Sequence, residues 1–128
     1  MSPPPISPRV LKFIAEKIDS VAELETLLIM SDDEHRPWSV REIAARLYTE
    51  APKADRILEA LARRELISAE GESARFRFSP AHSDDRKAFA EVADAYRRNL
   101  VAITTYIHSK ASGSVKEFAR AFDLKKDQ

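Results

Sequence analysis

The chain has 128 residues, 44% hydrophobic and 33% charged, with 21 basic and 21 acidic side chains and no cysteine. That length suits one domain with a single core and an extra helix or two. Zero net charge argues against a strongly basic nucleic-acid binder, and the lack of cysteine excludes disulfides and thiolate chemistry.

The N-terminal stretch MSPPPISPR has no hydrophobic core of the signal-peptide kind. No apolar run approaches the roughly 20 residues of a membrane span. The expected location is the cytoplasm. His35, His82 and His108 are scattered without metal-ligand spacing. The acidic run Ser31-Asp32-Asp33-Glu34 lacks the glycine and distal glutamate of a calcium loop, so it reads as a solvated loop. There is no phosphate-binding glycine loop, nucleophile elbow or metal motif, so neither enzyme chemistry nor a cofactor is expected.

Residues 1–6, with three consecutive prolines, read as a disordered tail. Ser7-Pro8 is an N-cap followed by proline at the first helical position, and Val10, Leu11, Ile14 and Ile18 follow at helical spacing. Ser20 and Glu23 form a capping box that opens a second helix, with Val21, Leu24, Leu27, Leu28 and Met30 inward. Trp38 is expected to close the core. Ser39 and Glu42 form a second capping box, before a helix with Ile43, Ala44 and Leu47 inward. Tyr48 to Pro52 makes a turn, because proline fits only the start of the next helix.

In that next helix Ala54, Ile57, Leu58 and Leu61 share one side of a helical wheel. Lys53, Arg56, Ala60, Arg63 and Arg64 share the other, with Asp55 and Glu59 on its flank. Two short strands follow, Ile67-Ser68-Ala69 and Ala74–Phe78, around a turn holding Gly71. In the second strand Phe76 and Phe78 alternate with Arg75 and Arg77, the period of a half-buried strand.

This order of helix, turn, helix and hairpin over Trp38–Pro80 resembles the winged helix-turn-helix domain of bacterial transcriptional regulators. The resemblance implies a mainly α fold with a small β-hairpin wing, spanning residues 7–80 together with its N-terminal helices. It implies double-stranded DNA as partner, with the helix that starts near Pro52 in the major groove and the wing on the backbone. Carried over by position, Arg41, Thr49, Lys53, Arg56, Arg63, Arg75 and Arg77 are the candidate DNA contacts. In such regulators a glycine commonly stands where this chain has Glu65, because the backbone turns there with positive φ. Residues 39–78 hold eight basic and seven acidic side chains, a low surplus for a duplex binder. The same fold also serves as a protein–protein interaction module without DNA binding, which is the alternative expectation.

From Ser83 or Asp84 a single helix is expected to run to about Lys110, about 25 residues or ~38 Å long. Asp84 and Asp85 in its first turn suit the helix dipole. Phe89, Ala93, Tyr96, Leu100, Ile103 and Ile107 are spaced 4, 3, 4, 3, 4 along it. This heptad seam suggests homodimerisation through Phe89, Tyr96, Leu100, Ile103 and Ile107, or else packing of the helix back on the N-terminal helices of its own chain. Gly113 ends the helix, and Ser114 with Glu117 starts a short one with Val115, Phe118, Ala119 and Phe122 inward. The C-terminal unit thus spans 81–124, followed by a frayed tail at 125–128.

Overall fold

The computed structural model describes residues 6–111. The expectations for residues 1–5 and for the segment from Gly113 onward lie outside the described residues. Ile6, assigned above to the tail, packs half-buried against the core.

Two helices open the fold, α1 (Pro8–Lys17) and α2 (Val21–Ser31). Ser7 caps the first, its Oγ accepting from Val10 N–H at 3.2 Å, with proline just inside the start. Ser20 Oγ likewise accepts from Glu23 N–H at 3.1 Å. The expected return bond differs: Glu23 Oε1 accepts from Asp19 N–H at 2.7 Å, one residue before the cap.

The middle of the chain is a winged helix. A two-residue strand β1 (Trp38–Ser39) leads into α3 (Val40–Leu47), then α4 (Ala51–Arg63), and then β2 (Ile67–Glu70) and β3 (Arg75–Phe78). The three strands form one antiparallel sheet in the order β1-β3-β2, with Trp38 opposite Phe76 and Ile67 opposite Phe78. Gly71, at φ +43, turns the wing. Trp38 is buried as expected, and the Arg36 guanidinium lies 3.8 Å from the centre of its ring. Phe89, on the helix that follows β3, joins Phe13 of α1 and Phe78 of β3, with ring centroids 6.1 and 5.6 Å apart.

The C-terminal part corrects the sequence expectation. The single long helix is two, α5 (Ser83–Arg98) and α6 (Leu100–Ala111), broken at Asn99 with φ −133 and ψ 51. The cap of α5 is His82, which makes no side-chain capping bond, rather than Ser83 or Asp84. Beyond the break α6 packs on α1, α2 and α5 of its own chain. The bend brings the apolar stripe of α6 onto the apolar faces of α1 and α2, whereas a straight helix would carry it into solvent.

The heptad seam is therefore mostly consumed within the monomer. Phe89, Ile103 and Ile107 are buried in the chain's own core. Tyr96 is half-buried, and its hydroxyl donates to Glu25 Oε1 at 3.4 Å. Its pKa is raised, first by burial and then by the charge of Glu25. Leu100, by contrast, is 53% exposed, and its neighbour Val101 is 76% exposed.

Candidate nucleic-acid interface

The two central helices are joined by a turn whose residues are fixed by backbone bonds. Tyr48 N–H donates to the Ala45 carbonyl at 3.3 Å and Thr49 N–H to the Ala44 carbonyl at 3.0 Å. This pair of bonds closes a left-handed cap on α3, with Tyr48 at φ 54. The Tyr48 side chain is 95% exposed. Thr49, half-buried, then leads into α4, where Pro52 pre-sets the first turn and Ala54, Ile57, Leu58 and Leu61 are buried against the core.

The opposite face of α4 carries Lys53, Arg56 and Arg63, all exposed, with Glu59 exposed and Asp55 half-buried beside them. Arg41 and Arg46 are exposed on α3. None of the five cations of α3 and α4 makes an ion pair among the described residues, and the Glu59–Arg63 pair that their spacing allows is absent. Arg46 was not among the sequence candidates. Its guanidinium lies 5.6 Å from the Trp38 ring centre, a relationship no spacing rule could reveal.

Two residues assigned by the wheel to the exposed basic side do not belong there. Ala60 is buried, 9% exposed. Arg64 turns away and ties α4 to the α1–α2 corner, through Glu23 at 2.6 Å and Asp19 at 2.8 Å. The wheel fails here because Arg64 is the C-cap, where the chain leaves the helical path. Glu65 follows at φ 62, where the resemblance implied glycine. Its N–H donates to the Ala62 carbonyl at 3.0 Å and that of Leu66 to the Leu61 carbonyl at 3.1 Å, so a full left-handed cap forms without glycine.

The wing arginines sit differently from those of α4. Arg75 pairs with Glu42 Oε1 at 3.0 Å and Arg77 with Glu70 at 2.6 Å. Glu42 is a hub: Oε1 also accepts from Ser39 N–H at 2.9 Å in a complete capping box, while Oε2 pairs with Arg36 at 2.6 Å. The Ser39 backbone bond first, and Arg36 next, hold the Glu42 carboxyl down at a pKa of about 2. The wing is thus fastened to the start of α3.

Among the described residues no group of histidine, aspartate and glutamate could hold a metal ion, and no helix is long and apolar enough to cross a membrane.

No protein-family model matches the chain, and no curated protein matches it. Among solved structures it is similar to MepR of Staphylococcus aureus, a transcription regulator of the multidrug efflux pump MepA. The identity is 17% over 93% of this chain and 90% of that one, with a TM-score of 0.50. Two mutants of MepR, one from a multidrug-resistant clinical isolate, match at 17% identity over 94% of this chain and 88% of theirs, again at 0.50. At that identity the likeness is one of fold, and the fold is a winged helix like that of a transcription regulator.

Proposed function

We propose that this winged helix is a DNA-binding transcriptional regulator acting as a dimer, with no enzymatic activity. The observation that supports it is the concentration of unpaired cations on α3 and α4. Every basic side chain of α3 and α4, namely Arg41, Arg46, Lys53, Arg56 and Arg63, is exposed and free of ion pairs among the described residues. Elsewhere most cations are paired, Arg9, Lys17, Arg36, Arg64, Arg75, Arg77, Arg86, Arg98 and Lys110 among them, while Lys12, Lys87 and Arg97 are exposed without an ion pair among the described residues. Unpaired cations on the helix that enters a major groove release counterions from phosphate without first breaking an internal pair.

Lys53 and Arg56, near the start of α4, reach base edges or phosphates. Arg41, Thr49 and Arg63 flank them on the backbone. Arg75 and Arg77 lie along the backbone more weakly, because each already has a carboxylate partner. Dimerisation through the C-terminal helices would set two α4 helices on two half-sites, as a symmetric operator requires.

The test is anisotropy binding to mixed-sequence duplex DNA at low and moderate salt. Non-specific binding that weakens steeply with salt is the expected result. No binding even at ~50 mM salt overturns the reading, because non-specific affinity is essentially electrostatic. In that case the module binds protein instead. The zero net charge, and Asp55 and Glu59 beside the basic stripe, favour this second reading.

A further inference from the structure

We propose that Tyr48 positions duplex DNA: its phenol hydroxyl donates to a phosphate of the sugar–phosphate backbone, and its ring lies on the adjoining deoxyribose. The inference rests on the DNA-binding reading above and adds to it a contact that carries no charge.

The first observation is that the Tyr48 side chain does nothing for the fold. It is 95% exposed. Its hydroxyl makes no hydrogen bond, and its ring no aromatic or cation–π contact, among the described residues. Tyr96 and Tyr106, by contrast, are half-buried and pack on the core. A ring left in water gains nothing from burial.

The second is the backbone that carries this side chain. Tyr48 stands in the left-handed region at φ 54 and ψ 47, which glycine enters freely and a residue with a Cβ enters at a cost. Two other described residues besides glycine have positive φ. Glu65 uses its side chain on His82 at 3.0 Å, and Ala74 has only a methyl group. Tyr48 sets a large side chain on strained backbone and finds no partner for it in its own chain. Strain that brings no return inside the fold points to a return outside it.

The third is its place. Tyr48 is the C-cap of α3, at the corner between the two helices that carry the unpaired cations. Arg46 comes two residues earlier and Lys53 five residues later, both exposed. A polyanion drawn to them brings its phosphates to this corner. Ala45, Ala51 and Pro52 are exposed and short, so no neighbour in sequence covers the ring. Glu50 is exposed there too, at the N-cap of α4 with no capping bond. It would offset a cation at position 48, whereas a neutral phenol keeps its donor for phosphate.

The fourth is preorganisation. The bonds from Tyr48 N–H to the Ala45 carbonyl at 3.3 Å and from Thr49 N–H to the Ala44 carbonyl at 3.0 Å fix where the side chain leaves the backbone. Only its own torsions remain to be ordered on binding, a small entropic cost for tyrosine. Contacts of this kind to phosphate and sugar fix the register and orientation of a protein on the duplex. Held at the turn, Tyr48 sets the angle at which α4 presents Lys53 and Arg56 to the groove.

The experiment compares the full-length chain with Tyr48→Phe and Tyr48→Gly in anisotropy titrations of mixed-sequence duplex DNA at several salt concentrations, with a thermal melt of each. Tyr48→Phe should weaken binding about tenfold at unchanged Tm. The slope of log K against log salt should stay the same, because a phenol releases no counterion. Tyr48→Gly should weaken binding at least as much while its Tm rises, and these opposite signs separate a lost contact from a damaged fold.

Nitration by tetranitromethane reads the contact directly. Tyr48 is the exposed tyrosine of the three, so it is labelled first, and saturating duplex DNA should protect it. Either variant binding like the natural chain, or Tyr48 nitrated equally with and without DNA, overturns the contact and leaves the DNA-binding regulator standing. A natural chain that binds no duplex even at ~50 mM salt overturns the contact and the regulator together.

Discussion

Arg64, the C-cap of α4, donates through Nη1 to Glu23 Oε1 in the first turn of α2 at 2.6 Å. The same guanidinium reaches the Lys17 carbonyl at 2.8 Å and Asp19 Oδ2 at 2.8 Å. One planar fork thus binds the end of α1, the start of α2 and the end of α4, and so orients α4 against the body of the protein. Glu23 is 8% exposed, so removing its partner strands a nearly buried carboxylate. Arg64→Ala should lower stability by about 2–3 kcal/mol, below the roughly 3–5 kcal/mol for breaking a fully buried pair, because Arg64 and Asp19 are partly solvated. Arg64→Lys should recover little of this, since an ammonium cannot match the three acceptors with a fixed fork. Urea unfolding of both variants checks the ordering.

Tyr48 and Glu65 hold left-handed backbone, at φ 54 and φ 62, that glycine adopts without strain. Tyr48→Gly and Glu65→Gly should each stabilise the fold by roughly 0.5–1 kcal/mol. For Glu65 part of the gain is offset by losing the exposed contact to His82 at 3.0 Å, which contributes little. Destabilisation of both variants in chemical denaturation would contradict this account of the two caps.

If α4 carries the DNA contacts, Lys53→Ala and Arg56→Ala should each weaken binding and reduce the slope of log K against log salt by about 1. Arg75→Ala should cost less, because Glu42 already offsets that charge at 3.0 Å. Salt titrations of the three variants give the order. A larger loss for Arg75→Ala than for Arg56→Ala would place the main contact on the wing.

The Glu42 carboxyl sits at a pKa of about 2 against an ordinary 4.5. A depressed folded pKa gives stability that is fully present above the unfolded value and is lost as pH falls through the folded one. The stability advantage of the natural chain over Glu42→Gln should therefore be constant above about pH 4.5 and shrink between about pH 4.5 and 2. Glutamine preserves the capping box, so the difference isolates the charge. Thermal melts across that range measure it, and a difference independent of pH would remove Glu42 from the acid response.

Local chemistry was readable from the residues alone. Ser7 with Pro8, Ser39 with Glu42, Pro52 and Gly71 each act on their nearest neighbours in sequence, so each fixes a boundary without reference to the rest of the fold. The buried stripe of α4 and the alternation of Arg75 to Phe78 were legible for the same reason, because helical and strand periodicities are local.

Long-range pairing was not legible in this way. Nothing in the spacing of Arg75 and Glu42 tells that the wing fastens to the start of α3, nor that Arg64 leaves the basic stripe for Glu23, 41 residues away. The C-terminal seam shows the division most clearly. The sequence determined that Phe89, Ile103 and Ile107 share one apolar line. Whether that line meets another chain or turns back on its own is a competition between surfaces distant in sequence. The tertiary structure fixes the path of one chain at Asn99, where a bend lets α6 bury Ile103 and Ile107 against α1 and α2 and leaves Leu100 and Val101 in solvent.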